Sequence, residues 1–177
     1  TFQGNIQAIS CLFKGDSSRF AAGDNRGNIR VLDRHYKALR EKQFKSPLTT
    51  LTFSPKSGRL LAVGVTSTRF DIGLDNSLYL WDWQKDKITD TLPHLWAIRS
   101  AAFNADEQLL ATGDDQGTIN FWKVQGGELL KKCESQDTIR SLCFSPGGKY
   151  LLSTDASGNT HIWDASEDMS ATHVLMS

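Results

Sequence analysis

HLWAIRSAAFNADEQLLATGDDQGTINFWK, residues 94–123, holds three short strand-like runs separated by turn-forming residues. Residues 98–103 and 109–112 are apolar runs, and residues 118–122 alternate as a pleated strand does. Between them stand Asn104-Ala105-Asp106-Glu107 and Gly113-Asp114-Asp115-Gln116-Gly117, rich in the residues that adopt turn conformations. The same unit is written four times. Phe13, Phe53, Phe103 and Phe144 lie 40, 50 and 41 residues apart. The close recurs as Leu32-Asp33, Trp81-Asp82, Trp122-Lys123 and Trp163-Asp164. From Phe to that close is 19 residues in copies one, three and four and 28 in copy two, which places a surplus of nine between Val65 and Asn76.

A period of about 40 with a terminal Trp-Asp resembles the WD40 repeat, whose copies build four-stranded blades of a β-propeller. Phe53-Ser54-Pro55 and Phe144-Ser145-Pro146 add to the resemblance, which covers nearly the whole chain. The expected fold is therefore all-β, with four propeller blades at residues 5–45, 46–93, 94–134 and 135–177, and residues 1–4 ending the outer strand of a preceding blade. Members of this family usually close with seven blades. Four blades imply a portion of a larger ring whose missing blades complete it, or two chains that complete each other; a closed four-bladed ring is the least expected.

Within the copies the expected strands are 8–13, 20–23, 28–32 and 39–44; then 48–53, 60–65, 77–81 and 87–92. Copy three continues with 128–133 as its outer strand. Copy four uses 139–144, 150–154 and 159–163, with an outer strand expected within 169–175. Arg40, Glu41, Lys42 and Gln43 suit an edge that faces water. The surplus loop carries Phe70, Ile72 and Leu74, which either fold back onto the blade or meet a partner.

Composition limits the function. Twenty basic and twenty acidic side chains cancel, so no long-range field favours nucleic acid or an anionic membrane. No apolar run approaches a membrane span, and no signal-peptide pattern opens the chain. Cys11, Cys133 and Cys143 lack metal or disulfide spacing and fit a reducing compartment, the cytoplasm, or the nucleus in a eukaryote. The chain starts without Met, as an excised or processed piece would.

The resemblance also implies a buried hydrogen-bonded set per blade: a His before the first strand, a Ser or Thr on the second, an Asp in the turn after it, and the Trp of the third. By offset, copy three offers His94, Thr112 and Trp122, with Gln116 at the Asp place. Copy two offers Asp75 and Trp81, with Phe44 at the His place. Copy four offers Trp163, with Ser135 and Ser157, and copy one has Gly4, Arg26 and Leu32.

No constellation points to catalysis. His35, His94, His161 and His173 are scattered without metal-ligand spacing, so neither metal nor cofactor is expected. The glycine-rich turns precede no helix and make poor phosphate cradles. No nucleophile elbow surrounds Ser10 or Ser54. His161 reads as a packed or half-exposed side chain, and Asp114-Asp115 as a solvated hairpin turn rather than an acid/base pair, or as a substitute for the carboxylate that the set in copy three lacks.

Binding remains. In the family, the loops entering the first strand and leaving the second form the usual docking face for proteins and peptides. That resemblance makes Trp96, Arg99, Arg140, Asp137, Asp115, Asn25 and Phe70 the candidate contacts, and Trp and Arg often dominate interface energy. Trp96 either fills a partner's pocket or covers the end of the core. The expected function is a noncatalytic scaffold or sensing module within a larger protein or complex. The alternatives are a regulatory domain of an enzyme whose catalytic part lies elsewhere, and a nucleic-acid binder using Arg34, Lys37, Arg40, Lys42 and Lys45.

Overall fold

A computed structural model describes residues 4–12, 17–66, 75–166 and 172–175. They form four antiparallel sheets, each of four strands hydrogen-bonded in chain order, and no helix occurs among the described residues. Sheet one comprises β1 (Ile6–Leu12), β2 (Arg19–Asp24), β3 (Asn28–Asp33) and β4 (Ala38–Gln43). Sheet two comprises β5 (Leu48–Phe53), β6 (Leu60–Val65), β7 (Ser77–Asp82) and β8 (Lys87–Pro93). Sheet three is β9 (Ile98–Phe103), β10 (Leu109–Asp114), β11 (Thr118–Lys123) and β12 (Leu129–Glu134). Sheet four is β13 (Ile139–Phe144), β14 (Tyr150–Asp155), β15 (Thr160–Asp164) and β16 (Thr172–Leu175).

The chain divides into two compact units, residues 1–98 and 99–177. In the first, Ala8, Ala21, Ile29 and Val31 of sheet one share a core with Leu48, Leu51, Leu61, Val63 and Trp81 of sheet two. In the second, Ala111, Ile119 and Phe121 of sheet three pack with Ile139, Leu142, Leu151 and Trp163 of sheet four. Short strands with one apolar side cannot bury that side alone, so each is stabilised by its neighbour. A serine on the earlier sheet ties each pair together. Ser10 Oγ accepts the Phe53 amide at 3.1 Å, and Ser100 Oγ accepts that of Leu142 at 3.0 Å.

Two irregularities repeat. The first strand slips by one residue at Gln7, Thr49 and Arg140 against its partner. The outer strand gains a residue opposite the close of the third strand, at Leu39, Thr89 and Leu130. Such bulges bend a strand and re-aim a side chain.

The register corrects the sequence spacing in two places. Ile6 faces Asp24 as Ile139 faces Asp155, so the residue of copy one that stands where Phe144 does is Cys11, opposite Phe20. Phe13 lies outside the described residues, and its matching interval hides a longer first hairpin. In copy two, Phe53 faces Leu61, eight residues on, where Phe144 faces Leu151, seven on. One surplus residue therefore sits in the first hairpin, closed by Gly58 at φ 63, and eight in the second. The expected strand at 8–13 is Ile6–Leu12, and the expected 39–44 is Ala38–Gln43, because the hydrogen-bond ladder ignores which residue in a turn is aromatic.

Candidate functional site

The carboxylates that shape the ends of the sheets stand two residues earlier than the family offset places them. Asp24, Asp114 and Asp155 are the last residues of β2, β10 and β14, and all three are buried. Each accepts backbone amides across the following turn. Asp24 Oδ1 takes Arg26 and Asn28, both at 2.9 Å; Asp114 Oδ1 takes Gln116 at 3.0 Å and Thr118 at 2.8 Å; Asp155 Oδ1 takes Asn159 at 2.9 Å. A carboxylate so placed satisfies donors that a two-strand ladder leaves over. Gln116 at the expected Asp place contributes its amide, and Ser157 and Arg26 lie in the corresponding turns. Glycines at φ 83, 83 and 89 (Gly27, Gly117 and Gly158) complete them. Burial pushes the Asp114 carboxyl up, more than the amides of Thr118 and Gln116 draw it down. At Asp155 burial also pushes up, but His161, Asn159 and Ser135 outweigh it and leave the group at about 2.

Sheet four carries the fullest buried set. Trp163 Nε1 donates to Ser153 Oγ at 2.8 Å. His161 Nε2 lies 3.0 Å from Asp155 Oδ2 and 3.2 Å from Ser135 Oγ, while Ser135 Oγ donates to the same carboxylate oxygen at 3.2 Å. The ring comes from the third strand, whereas the expected His place is held by Ser135. His161 is thus bonded to Asp155 and stacked on Trp163. Ser, His and Asp here do not form a relay. A carboxylate only accepts, so Nε2 carries the proton that it shares with Asp155, and that nitrogen has no lone pair with which to deprotonate the serine.

The other copies keep fewer bonds. Trp122 Nε1 donates to Thr112 Oγ1 at 2.9 Å. The corresponding residue on β6 is Val63, without a hydroxyl, and the Trp81 indole turns to Asp86 Oδ1 at 3.0 Å. Asp75 accepts the Tyr79 hydroxyl at 2.7 Å; burial and then Asp75 push that phenol up to about 12. His94 Nδ1 lies 2.9 Å from the Leu92 carbonyl oxygen, which fixes the proton on Nδ1. Burial pushes its ring down to about 4 despite that bond.

The closing aspartates have a separate task. Asp33 Oδ1 accepts His35 at 2.8 Å and Lys37 at 3.0 Å; Asp82 accepts Lys85 and the Arg59 guanidinium, and Asp164 accepts Ser166. They hold the turn into the outer strand. Lys123 lacks a carboxylate, and Gly126 and Gly127 at φ 90 and 63 make that turn instead.

The candidate contacts fall as follows. Arg140 is exposed on the β13 bulge, and Arg99 takes the matching place on β9, with its guanidinium 3.5 Å from Asp115. The Asp115 carbonyl accepts Thr138 Oγ1 at 2.7 Å, and Asp137 accepts Ser157 Oγ at 2.7 Å. Hydrogen bonds from Ser157 and the Thr138 amide hold the Asp137 carboxyl below its usual range. Arg99, Asp115, Asp137 and Arg140 thus belong to one unit. Trp96 is 49% exposed in the connection before β9. Asn25 is exposed, and its Oδ1 accepts the Asn5 amide at 3.0 Å. Phe70 lies outside the described residues. Among the described residues no group of three His, Cys, Asp or Glu could hold a metal ion. No helix there is long and apolar enough to cross a membrane.

Residues 87–123 and 127–164 match the family model described as "WD domain, G-beta repeat". The chain carries WD40 repeats. Each matched WD40 segment starts on the outer strand of one sheet and ends on the third strand of the next, one strand out of step with the sheets. Leu32 in place of Trp and the long second turn of sheet two distinguish the earlier copies. Among proteins with WD40-like similarity, human apoptotic protease-activating factor 1 is 44% identical over 80 residues, 40% of this chain and 6% of that protein. The 77 kDa echinoderm microtubule-associated protein of Lytechinus variegatus is 33% identical over 129 residues, 68% of this chain and 18% of that protein. The chain therefore spans a small part of these relatives. The β-propeller domain of Myceliophteria thermophila Cps50 (Swd1) superposes with a TM-score of 0.78 at 15% identity, over 98% of this chain and 58% of that one. The fold is that of β-propeller blades.

Proposed function

We propose that this chain is a noncatalytic docking platform for a protein or peptide, working within a larger protein or assembly. The observation that carries the reading is the placement of Arg140 on the bulge of β13 and of Arg99 at the same sequence position of β9, the first strands of the two sheets of one unit, beside Asp115 and Asp137. Bulges aim side chains out of the ladder, and guanidinium groups recognise carboxylates and backbone carbonyls with directed bonds. Two relatives carry names that refer to other proteins, a microtubule in one and a protease in the other, which agrees with a protein partner here. Trp96 supplies the large exposed surface typical of an energetic anchor. The buried His161 and Asp155, with the half-buried Ser135, are bonded to one another within the fold.

A nucleic-acid role is less favoured by the arrangement of the basic side chains. Lys42 is bonded to Asp86 at 2.9 Å, Arg30 to Glu41 at 2.9 Å, and Arg40 to the Gln84 carbonyl at 3.2 Å. The three thiols are free, in keeping with our assignment to the cytoplasm or the nucleus. Affinity capture with cross-linking tests the platform: partners recovered by the native chain should cross-link near Arg99 and Arg140, and be lost from Arg99→Glu and Arg140→Glu. Retention of those partners by both variants would refute it.

A further inference from the structure

The second residue of each first strand changes in character along the chain. It is Gln7 on β1 and Thr49 on β5, but Arg99 on β9 and Arg140 on β13. The turn before the third strand changes with it, from Asn25 in sheet one to Asp115 in sheet three. Charge at these places therefore belongs to the second unit and is no general property of the repeat.

A run of bonds gathers the two arginines into one patch. Ser100 Oγ accepts the Leu142 amide at 3.0 Å, which sets β9 beside β13 just past Arg99 and Arg140. The Arg99 guanidinium stands 3.5 Å from Asp115, whose carbonyl accepts Thr138 Oγ1 at 2.7 Å, and Thr138 leads into β13. Donors and acceptors in the patch do not balance. Asp137 Oδ1 accepts the Thr138 amide and Oδ2 the Ser157 hydroxyl, both at 2.7 Å, so each oxygen already holds a neutral donor. Arg140 is exposed and makes no hydrogen bond to another described residue. The 3.5 Å of the Arg99 pair exceeds the roughly 2.7–2.9 Å of a charge-assisted hydrogen bond, and its side chain is 49% exposed. Each guanidinium carries about five N–H donors in a planar fork. What the patch lacks is acceptors.

We propose that Arg99 and Arg140 receive the side-chain carboxylates of an acidic segment of a partner protein, one guanidinium to each carboxylate; this rests on the docking platform argued above. Carboxylates suit the patch better than phosphoryl groups. A phosphoryl group has three oxygens and about two negative charges, and calls for several cations converging on one point. Here the two guanidinium groups come from separate strands, and each has an acid nearby, Asp115 or Asp137. One guanidinium fork matches one carboxylate.

Selection of a random peptide display library on the 177-residue chain tests this. Arg99→Gln and Arg140→Gln are the variants, and Arg30→Gln, which removes the same charge from sheet one, is the control. Enriched peptides should carry Asp or Glu at recurring positions. By fluorescence anisotropy they should bind each variant at least about fivefold more weakly than the native chain, and bind Arg30→Gln unchanged; circular dichroism establishes that each variant is folded. Changing a recurring Glu of the peptide to Gln should weaken binding to the native chain by a similar factor, and should cost much less against the variant that lacks its arginine, as a double-mutant cycle requires. Enriched peptides without carboxylates would overturn the acidic partner while leaving the platform in place. Tighter binding when phosphoserine replaces that Glu would overturn it too, in favour of a phosphopeptide. Enrichment of no peptide at all would count against the platform itself, and against this proposal with it.

Discussion

Each tryptophan indole of a third strand is buried with one N–H donor, and the residue opposite decides where that donor goes. Ser153 and Thr112 provide a hydroxyl; Val63 does not, and Asp86 takes over. An unmet buried donor costs about 1–3 kcal/mol, so the bond persists while its acceptor changes. Histidine shows the same dependence on surroundings. His94 is held at about 4 by burial, below the roughly 6.5 of an unfolded chain. Protonation therefore favours unfolding: the contribution is full above pH about 6.5 and is lost as pH falls to about 4, on the order of 2–3 kcal/mol. Asp155, at about 2, adds a second loss between pH about 4 and 2. Urea midpoints should fall steadily from pH 7 to 4.5, and His94→Gln, which takes up no proton, should flatten that decline. An equal decline in the variant would refute this account of His94.

Among elements, the second strand sets how closely sheets approach. Gly23 and Gly113 have ordinary backbone angles and are required for space alone. The obstacles differ in kind. At Gly23 the nearest atom ends a flexible leucine, which can rotate; at Gly113 three atoms of the β-branched Ile139, its Cβ among them, crowd the place. Gly113→Ala should destabilise by about 1–3 kcal/mol, and Gly23→Ala by less. Chemical denaturation of both variants decides it, with equal losses or the reverse order counting against the packing argument. The hairpin ends work by another means, through carboxylates that accept two amides and glycines that take positive φ.

At the scale of the molecule, charge is balanced and locally paired. Twenty positive and twenty negative side chains leave no net field, and Lys42, Arg30 and Arg59 are engaged by Asp86, Glu41 and Asp82. Electrostatic binding to polyanions requires unpaired cations acting together. The chain should therefore pass through a heparin column at about 50 mM salt; retention that weakens steeply with salt would restore the nucleic-acid reading. Recognition of a protein through a few exposed Trp and Arg side chains needs no such field.

Recurrence of apolar runs and turn formers determined the four sheets and the order of their strands, because strand period and turn chemistry are local properties. The sixteen strands in four antiparallel sheets seen among the described residues follow the repeats spelled in the sequence. Hydrogen-bond partners were not legible in the same way. Offset counting left Gln116 and Ser157 at the place of the turn acid; the fold uses Asp155 in copy four and, in copy three, Asp114, one of the pair that could stand in for the missing carboxylate but buried rather than solvated because it accepts the turn amides. His161 is packed, as its place beside Trp163 suggests, but its bonds to Ser135 and Asp155 were not legible because those partners come together only when two strands and a loop meet. The spacing role of Gly23 and Gly113 likewise belongs to tertiary structure: a small residue in a strand carries no message until the packing shows which side chain of the next sheet must occupy its space.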